Sequence, residues 1–111
     1  MSQSISQHIQ HQIDTHPVML FMKGDKLFPQ CGFSARVVQI LNHLGVDFET
    51  ENVLASAELR QGIKDFSQWP TVPQLYVKGE FIGGCDIVTD MYQSGELESL
   101  LAEKGIAKKV A

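Results

Sequence analysis

Cys31-Gly32-Phe33-Ser34 is the stretch of this chain best equipped for chemistry. Two cysteines at this spacing cycle between dithiol and disulfide, but here the second place holds Ser34, which cannot resolve a disulfide. What remains is one thiol, and one thiol serves as a nucleophile or a metal ligand when its thiolate is stabilised. The stretch follows the apolar run Val18-Met19-Leu20-Phe21-Met22 and leads into Ala35 to Gly45, where apolar residues recur with a helical period before a glycine stop. Cys31 therefore sits where a strand gives way to a helix. Free amide N–H groups and the positive end of the helix dipole at such a place favour thiolate over thiol.

The elements that must hold this sulfur in position follow from pattern. Ile5, Ile9 and Ile13 recur every four residues behind Ser2 or Ser4 as a cap, which predicts an opening helix that ends before Pro17. A buried strand from Val18 to Met22 comes next, and Lys23 to Gln30 form a loop by their Gly and Pro. Phe33, Val37, Ile40, Leu41 and Leu44 are expected to line one face of the second helix. Asp47 to Val53 reads as a strand, and Ser56 or its predecessor caps a third helix with Leu59, Ile63 and Phe66 on one side. Gln74 to Val77 and Glu80 to Ile82 flank Lys78-Gly79, an antiparallel hairpin whose glycine permits a positive φ. A last helical region carries Ile87, Met91, Tyr92, Leu97, Leu100 and Leu101 with a break near Ser94-Gly95, and Ala107 to Ala111 look frayed. This order predicts an α/β fold, a small mixed sheet with helices on both faces and the first two strands parallel. Cys31 then lies at the carboxyl end of the first strand, where open α/β sheets gather their ligands.

Composition narrows the class. The 111 residues suffice for one domain, and 43% hydrophobic with 20% charged residues fits a folded soluble protein. A formal net charge of −4 argues against nucleic acid as the main partner. The longest apolar run is broken by Lys23, so no membrane span is expected, and the polar start resembles no secretory signal or transit peptide. A reducing, cytoplasmic setting is the expectation.

Several further residues have a bland and a sharp interpretation. Pro73 opens a strand, as an ordinary trans proline or as a cis bond. Cys85 is read as an inert small hydrophobe at a helix start, the alternative being a regulatory disulfide with Cys31 that needs α-carbons within about 7 Å. His8 and His11, three apart, have no accompanying ligand and are read with His16 and His43 as surface residues. Trp69 is read as packing beside the site, not as a base-stacking platform.

Met22-Lys23-Gly24, Pro29, Cys31-Gly32-Phe33-Ser34, Trp69-Pro70-Thr71-Val72-Pro73-Gln74 and Gly83-Gly84-Cys85-Asp86 together resemble the monothiol, CGFS-type glutaredoxins, in order and spacing across nearly the whole chain. The resemblance implies a single glutaredoxin domain over residues 1–111, a thioredoxin-like fold with a four-stranded mixed sheet, and a cis Pro73. It also implies glutathione as cofactor, paired with the backbone of Val72. Glutathione carries two carboxylates and an amine. Lys23 and Arg60 are candidates for the glycine carboxylate. The amides of Cys85 and Asp86 suit the γ-glutamyl carboxylate, and the Asp86 side chain suits the amine or acts as a simple helix cap. Members of this family bind and transfer [2Fe-2S] clusters as glutathione-ligated homodimers, which implies Cys31 as metal ligand, a cluster-bridged homodimer, and BolA-like or iron-sulfur acceptor proteins as partners. The rival function is glutathione-dependent thiol-disulfide exchange with Cys31 as catalytic nucleophile, at which such proteins are poor.

Overall fold

A computed structural model describes residues 4–109; Ser2, the alternative cap, and Val110-Ala111 of the expected frayed tail lie outside them. The first helix, α1 (Ile5–Thr15), is capped by Ser4, whose Oγ accepts from the Gln7 amide at 3.1 Å while the Gln7 side chain accepts from the Ser4 amide at 3.0 Å. Strand β1 (Val18–Met22) follows, then α2 (Gly32–Leu44), β2 (Glu49–Asn52), a 3₁₀ turn at Val53–Ala55 and α3 (Ala57–Ser67). The hairpin β3 (Gln74–Val77) and β4 (Glu80–Gly83) precedes α4 (Cys85–Ser94) and α5 (Glu96–Glu103). The four strands form one mixed sheet in the order β2-β1-β3-β4, with β1 parallel to β2 and antiparallel to β3.

Strand β1 explains why the sheet is covered on both sides. All five of its residues are buried, and alternation divides them between two cores. Val18, Leu20 and Met22 pack with Val37, Ile40 and Leu41 of α2 and with residues of α4 and α5. Met19 and Phe21 pack on the opposite face with Ile9 and Ile13 of α1 and Leu59 and Ile63 of α3. The hairpin turns through Lys78 and Gly79, with the positive φ expected at Gly79 and a second at Lys78.

Several expectations are corrected. Phe33 does not belong to the core: it lies in the first turn of α2, 63% exposed. The second strand is shorter than Asp47 to Val53, because Phe48 and Val53, the buried residues that suggested it, flank a half-buried ladder of four. The expected break near Ser94-Gly95 is found, the last helical region being two helices divided at Gly95. Ala107 to Lys109 are not frayed, since Lys108 bridges to Val46 and the Lys109 amide donates to the Gly45 carbonyl. His8 is no free surface residue either. Its Nε2 lies 2.6 Å from Glu51 Oε2, and Gln12 Nε2 donates to Glu51 Oε1 at 3.0 Å, so α1 is tied to the exposed edge of β2. Among the described residues no helix is long and apolar enough to cross a membrane.

The central position of β1 yields a stability prediction. Leu20 is fully buried between β1 and α2, so Leu20→Ala is expected to lower unfolding free energy by about 2–5 kcal/mol, read from the urea midpoint. A change below 1 kcal/mol would mean that this face is not close-packed.

Candidate functional site

Cys31 is the N-cap of α2, with extended backbone (φ −155°, ψ 139°), and its carbonyl accepts the first helical bond from Ala35 at 2.9 Å. An N-cap side chain ordinarily accepts from an amide of the first turn, and a neutral thiol does this poorly. A thiolate does it well. The Ser34 amide is the largest influence holding the Cys31 pKa below the ordinary thiol value, and the Phe33 amide, the Lys23 charge and the Ser34 hydroxyl act in the same direction. Burial opposes them without prevailing, for Cys31 is only partly buried.

The backbone of Lys23, whose charge acts on this sulfur, is held twice. Its amide donates to Ser34 Oγ at 3.1 Å, and its carbonyl accepts from the Gln30 amide at 2.9 Å. Gly24 follows at φ 85°, and a Cβ there would lie 2.4 Å from the Phe28 carbonyl oxygen, so the turn demands glycine. Asp25 Oδ1 then accepts from the Leu27 and Phe28 amides, both at 2.9 Å, which closes the loop and leaves those two side chains 77% and 71% exposed.

A groove of about 350 Å³ begins at Lys23 and Phe33. Cys31 lies beside that end and not in the lining itself. One wall carries Arg60 and Lys64, four residues apart on α3 and so on one face of it. The floor is the segment Trp69 to Pro73, in which the Val72–Pro73 peptide bond is cis. The far end is the start of α4, with Gly84 as N-cap and Cys85 and Asp86 in the first turn, whose amides have no intrahelical acceptor. Lys23, Arg60, Val72, Cys85 and Asp86, all singled out from sequence, therefore line one groove, whereas Cys31 is outside the lining and related to it through Lys23, whose charge lowers its pKa, and Phe33, two residues on. Cys31 and Cys85 are both free thiols.

Sequence reasoning missed Lys64 and the exposed Phe33 in this lining. The i, i+4 spacing from Arg60 was a usable signal for Lys64; nothing in the pattern marked Phe33 as turned outward. It also missed how the floor is held. Gln74 is fully buried, its Nε2 donates to the Trp69 and Thr71 carbonyls at 3.3 and 3.1 Å, and its Oε1 accepts from Tyr76 at 3.1 Å. Burial pushes the Tyr76 pKa up to about 12, against the opposing influence of Ser67. The Trp69 Nε1 donor is buried without a partner, and a Cβ on Gly84 would lie 3.3 Å from it and from the Pro73 carbonyl oxygen. Glycine at position 84 thus lets the start of α4 approach the floor closely.

The family model described as Glutaredoxin matches residues 18–82. The chain is 57% identical over 101 residues to a protein of Synechocystis named as an uncharacterized monothiol glutaredoxin, covering 91% of this chain and 94% of the relative. The solution structure of reduced poplar apo GrxS14 is similar with a TM-score of 0.79 at 52% identity, covering 87% of this chain and 89% of that one. The crystal structure of a buckwheat glutaredoxin-glutathione complex is similar with a TM-score of 0.79 at 26% identity, covering 91% of this chain and 90% of that one.

Two predictions test the site. The alkylation rate of Cys31 against pH is expected to inflect below the usual thiol value of about 8.5, and an inflection at or above that value would remove the amide cradle. The sign for stability agrees: a lowered native pKa contributes stability above the unfolded thiol's pKa, lost as pH falls through the native one. Gln74→Leu leaves the Tyr76 hydroxyl and two floor carbonyls without their partner, and a loss of about 1–3 kcal/mol is expected in urea unfolding.

Proposed function

The chain belongs to the monothiol glutaredoxins, and on that premise we propose that it binds a glutathione-ligated [2Fe-2S] cluster between two copies of itself and passes the cluster to acceptor proteins. The observation that carries this proposal is a partly exposed thiol of lowered pKa, influenced by the Lys23 charge of a cationic groove, with serine in place of a second motif thiol. A [2Fe-2S] cluster takes four ligands, normally thiolates. Among the described residues no three His, Cys, Asp or Glu side chains are clustered to hold a metal, so Cys31 needs ligands from outside its own chain. Two chains bring two Cys31 thiolates, and two glutathione thiols make up the rest. The cluster in this proposal is cargo, and an exposed sulfur suits its departure.

The groove fits glutathione as the cofactor. Arg60 and Lys64, with Lys23 at the thiol end, offer charge-assisted bonds to the glycine carboxylate. The free amides of Cys85 and Asp86 suit the γ-glutamyl carboxylate at a helix N-terminus, and the Asp86 carboxylate suits the amine. Val72, beside the cis bond, presents backbone to the peptide between these ends. Glutathione when bound supplies the additional thiolate. The chain's own residues orient it and favour the Cys31 thiolate. A homodimer bridged by the cluster, exchange with BolA-like or acceptor proteins, and a cytoplasmic setting complete the proposal.

The lowered Cys31 pKa also favours a second function, thiol-disulfide exchange. Cys31 thiolate would attack the glutathione sulfur of a mixed disulfide, forming a Cys31–glutathione disulfide and releasing the protein thiolate. A second glutathione thiolate would then free Cys31 and leave as glutathione disulfide.

Anaerobic reconstitution of the full chain with iron, sulfide and glutathione separates the two. A coloured dimer by gel filtration, absent in Cys31→Ser and absent without glutathione, is expected for the carrier. Rapid turnover of a glutathionylated substrate with no coloured species would overturn it in favour of the exchange reaction. Arg60→Ala and Lys64→Ala are each expected to raise the glutathione concentration needed for half-assembly about tenfold, the loss of one charged hydrogen bond. Unchanged assembly in both would dismiss that wall of the groove.

A further inference from the structure

Leu27 and Phe28 are the two most exposed large apolar side chains among the described residues, and neither belongs to a core. The loop that carries them is held at base and tip. A bridge between Gly24 and Pro29 closes the base, and at the tip the Phe28 amide donates to the Asp25 carbonyl at 3.2 Å while the Asp25 amide donates to the Phe28 carbonyl at 3.4 Å. Both charges of the loop are engaged elsewhere. Asp25 Oδ1 accepts the Leu27 and Phe28 amides, and Lys26 Nζ donates to the Phe48 carbonyl at 2.8 Å, 5.4 Å from the centre of the Phe48 ring. The loop therefore presents an apolar pair to a partner at little further cost in ordering.

Phe28 precedes Cys31 by three residues, so their α-carbons lie within about 11 Å whatever the local conformation. A body that closes on Cys31 meets this loop, and in the proposed function that body is a second copy, because each chain gives one sulfur to a shared cluster. Two like copies meet through the same patch on each, which must complement itself. A surface of net charge −4 repels its own image, whereas an apolar tip free of unpaired charge does not. We propose that the Leu27-Phe28 tip is the protein contact of the cluster-bridged homodimer, packing against the same two side chains of the second copy. The proposal rests on the carrier function described above. Even at about 250 Å² for each of the four side chains, the upper figure for an aromatic one, the contact falls short of the roughly 1,200–2,000 Å² of a stable interface. The tips therefore strengthen a dimer that the cluster already bridges, and the cluster-free chain is expected to be a monomer.

The test is sedimentation of the full chain over a dilution series, loaded anaerobically with iron, sulfide and glutathione. Leu27→Ser combined with Phe28→Ser retains the backbone bonds of the loop and is expected to raise the concentration at which the dimer half-dissociates about tenfold. Both side chains are exposed, so the urea midpoint of this variant is expected to match that of the unsubstituted chain. Charge exchange identifies the occupant. Leu27→Glu and Leu27→Lys are each expected to weaken the dimer, and an equimolar mixture of the two to restore it, since opposite charges then meet across the contact. An unchanged half-dissociation concentration in the double serine variant, or no restoration in the mixture, would overturn the contact and leave the tip to an acceptor protein. A dimer of the cluster-free chain at the same concentrations would overturn it too, because the interface would then exceed this tip. Absence of any coloured species in the unsubstituted chain would sink the carrier function itself, a result distinct from a coloured dimer that the substitutions leave intact.

Discussion

The structure depends on amides that α2 cannot satisfy by itself. A helix leaves its first N–H groups without carbonyl partners, and α2 opens with a residue that makes no neutral side-chain cap. The Ser34 and Phe33 amides act on the Cys31 sulfur instead, and they serve it best when it is an anion. Had Cys31 been a serine or aspartate, the same geometry would be an ordinary helix cap. The element that makes the sulfur reactive is therefore also an incomplete element of secondary structure, and everything around it keeps the incompleteness in place. Burial would undo the effect by raising the pKa, so the cap must stay near the surface while the helix behind it is packed.

That requirement explains the weight of apolar residues behind the site. Strand β1 is covered on both faces, and α2 presses Val37, Ile40 and Leu41 against one of them. A helix fixed along its apolar side presents its first turn at a constant position, which side chains on a loose loop would not. The opposite end of the groove is built in the same way: α4 is anchored by Val88 in the same core, and Gly84 brings its first turn close to the floor. Two helix starts thus face one groove. Between them the floor is held from beneath by the buried Gln74 amide, whose bonds go to the carbonyls of Trp69 and Thr71.

What the sequence made legible follows from this division. Periodicity reports burial, so β1, the apolar faces of α1, α2 and α3 and the hairpin through Lys78-Gly79 could be read directly. Turn chemistry and the motifs singled out Cys31, Lys23, Val72, Cys85 and Asp86, of which the last four line one groove together with Arg60. The failures came where an apolar residue was not in the core or a polar one was not at the surface. Phe33 fits the helical period of α2 yet is exposed and lines the groove, while Ser34 beside it in the same turn is fully buried. Gln74 and Ser34 are polar and fully buried, since each closes a hydrogen-bond path that joins segments distant in sequence. Pattern along the chain cannot show a partner that only the fold supplies. The same holds for His8, whose partner Glu51 lies on the edge strand.

Charge shows why local placement matters more than the total. A net charge of −4 suggests a molecule that repels anions, and it does weigh against a polyanion such as nucleic acid, which samples the whole surface. A tripeptide anion samples only a groove. Three of the nine Lys and Arg residues, Lys23, Arg60 and Lys64, line this one, against Asp86 alone among its acids. Within a Debye length of about 8 Å at physiological salt the local sign governs, and the acidic remainder of the surface is largely screened. Lys23 is also among the causes of the lowered Cys31 pKa, so in the proposed function one cation both favours ionising the sulfur and attracts the anionic tripeptide. Loss of the Lys23 charge would therefore weaken capture and activation together, whereas loss of Arg60 or Lys64, neither of which acts on the Cys31 pKa, would weaken capture alone.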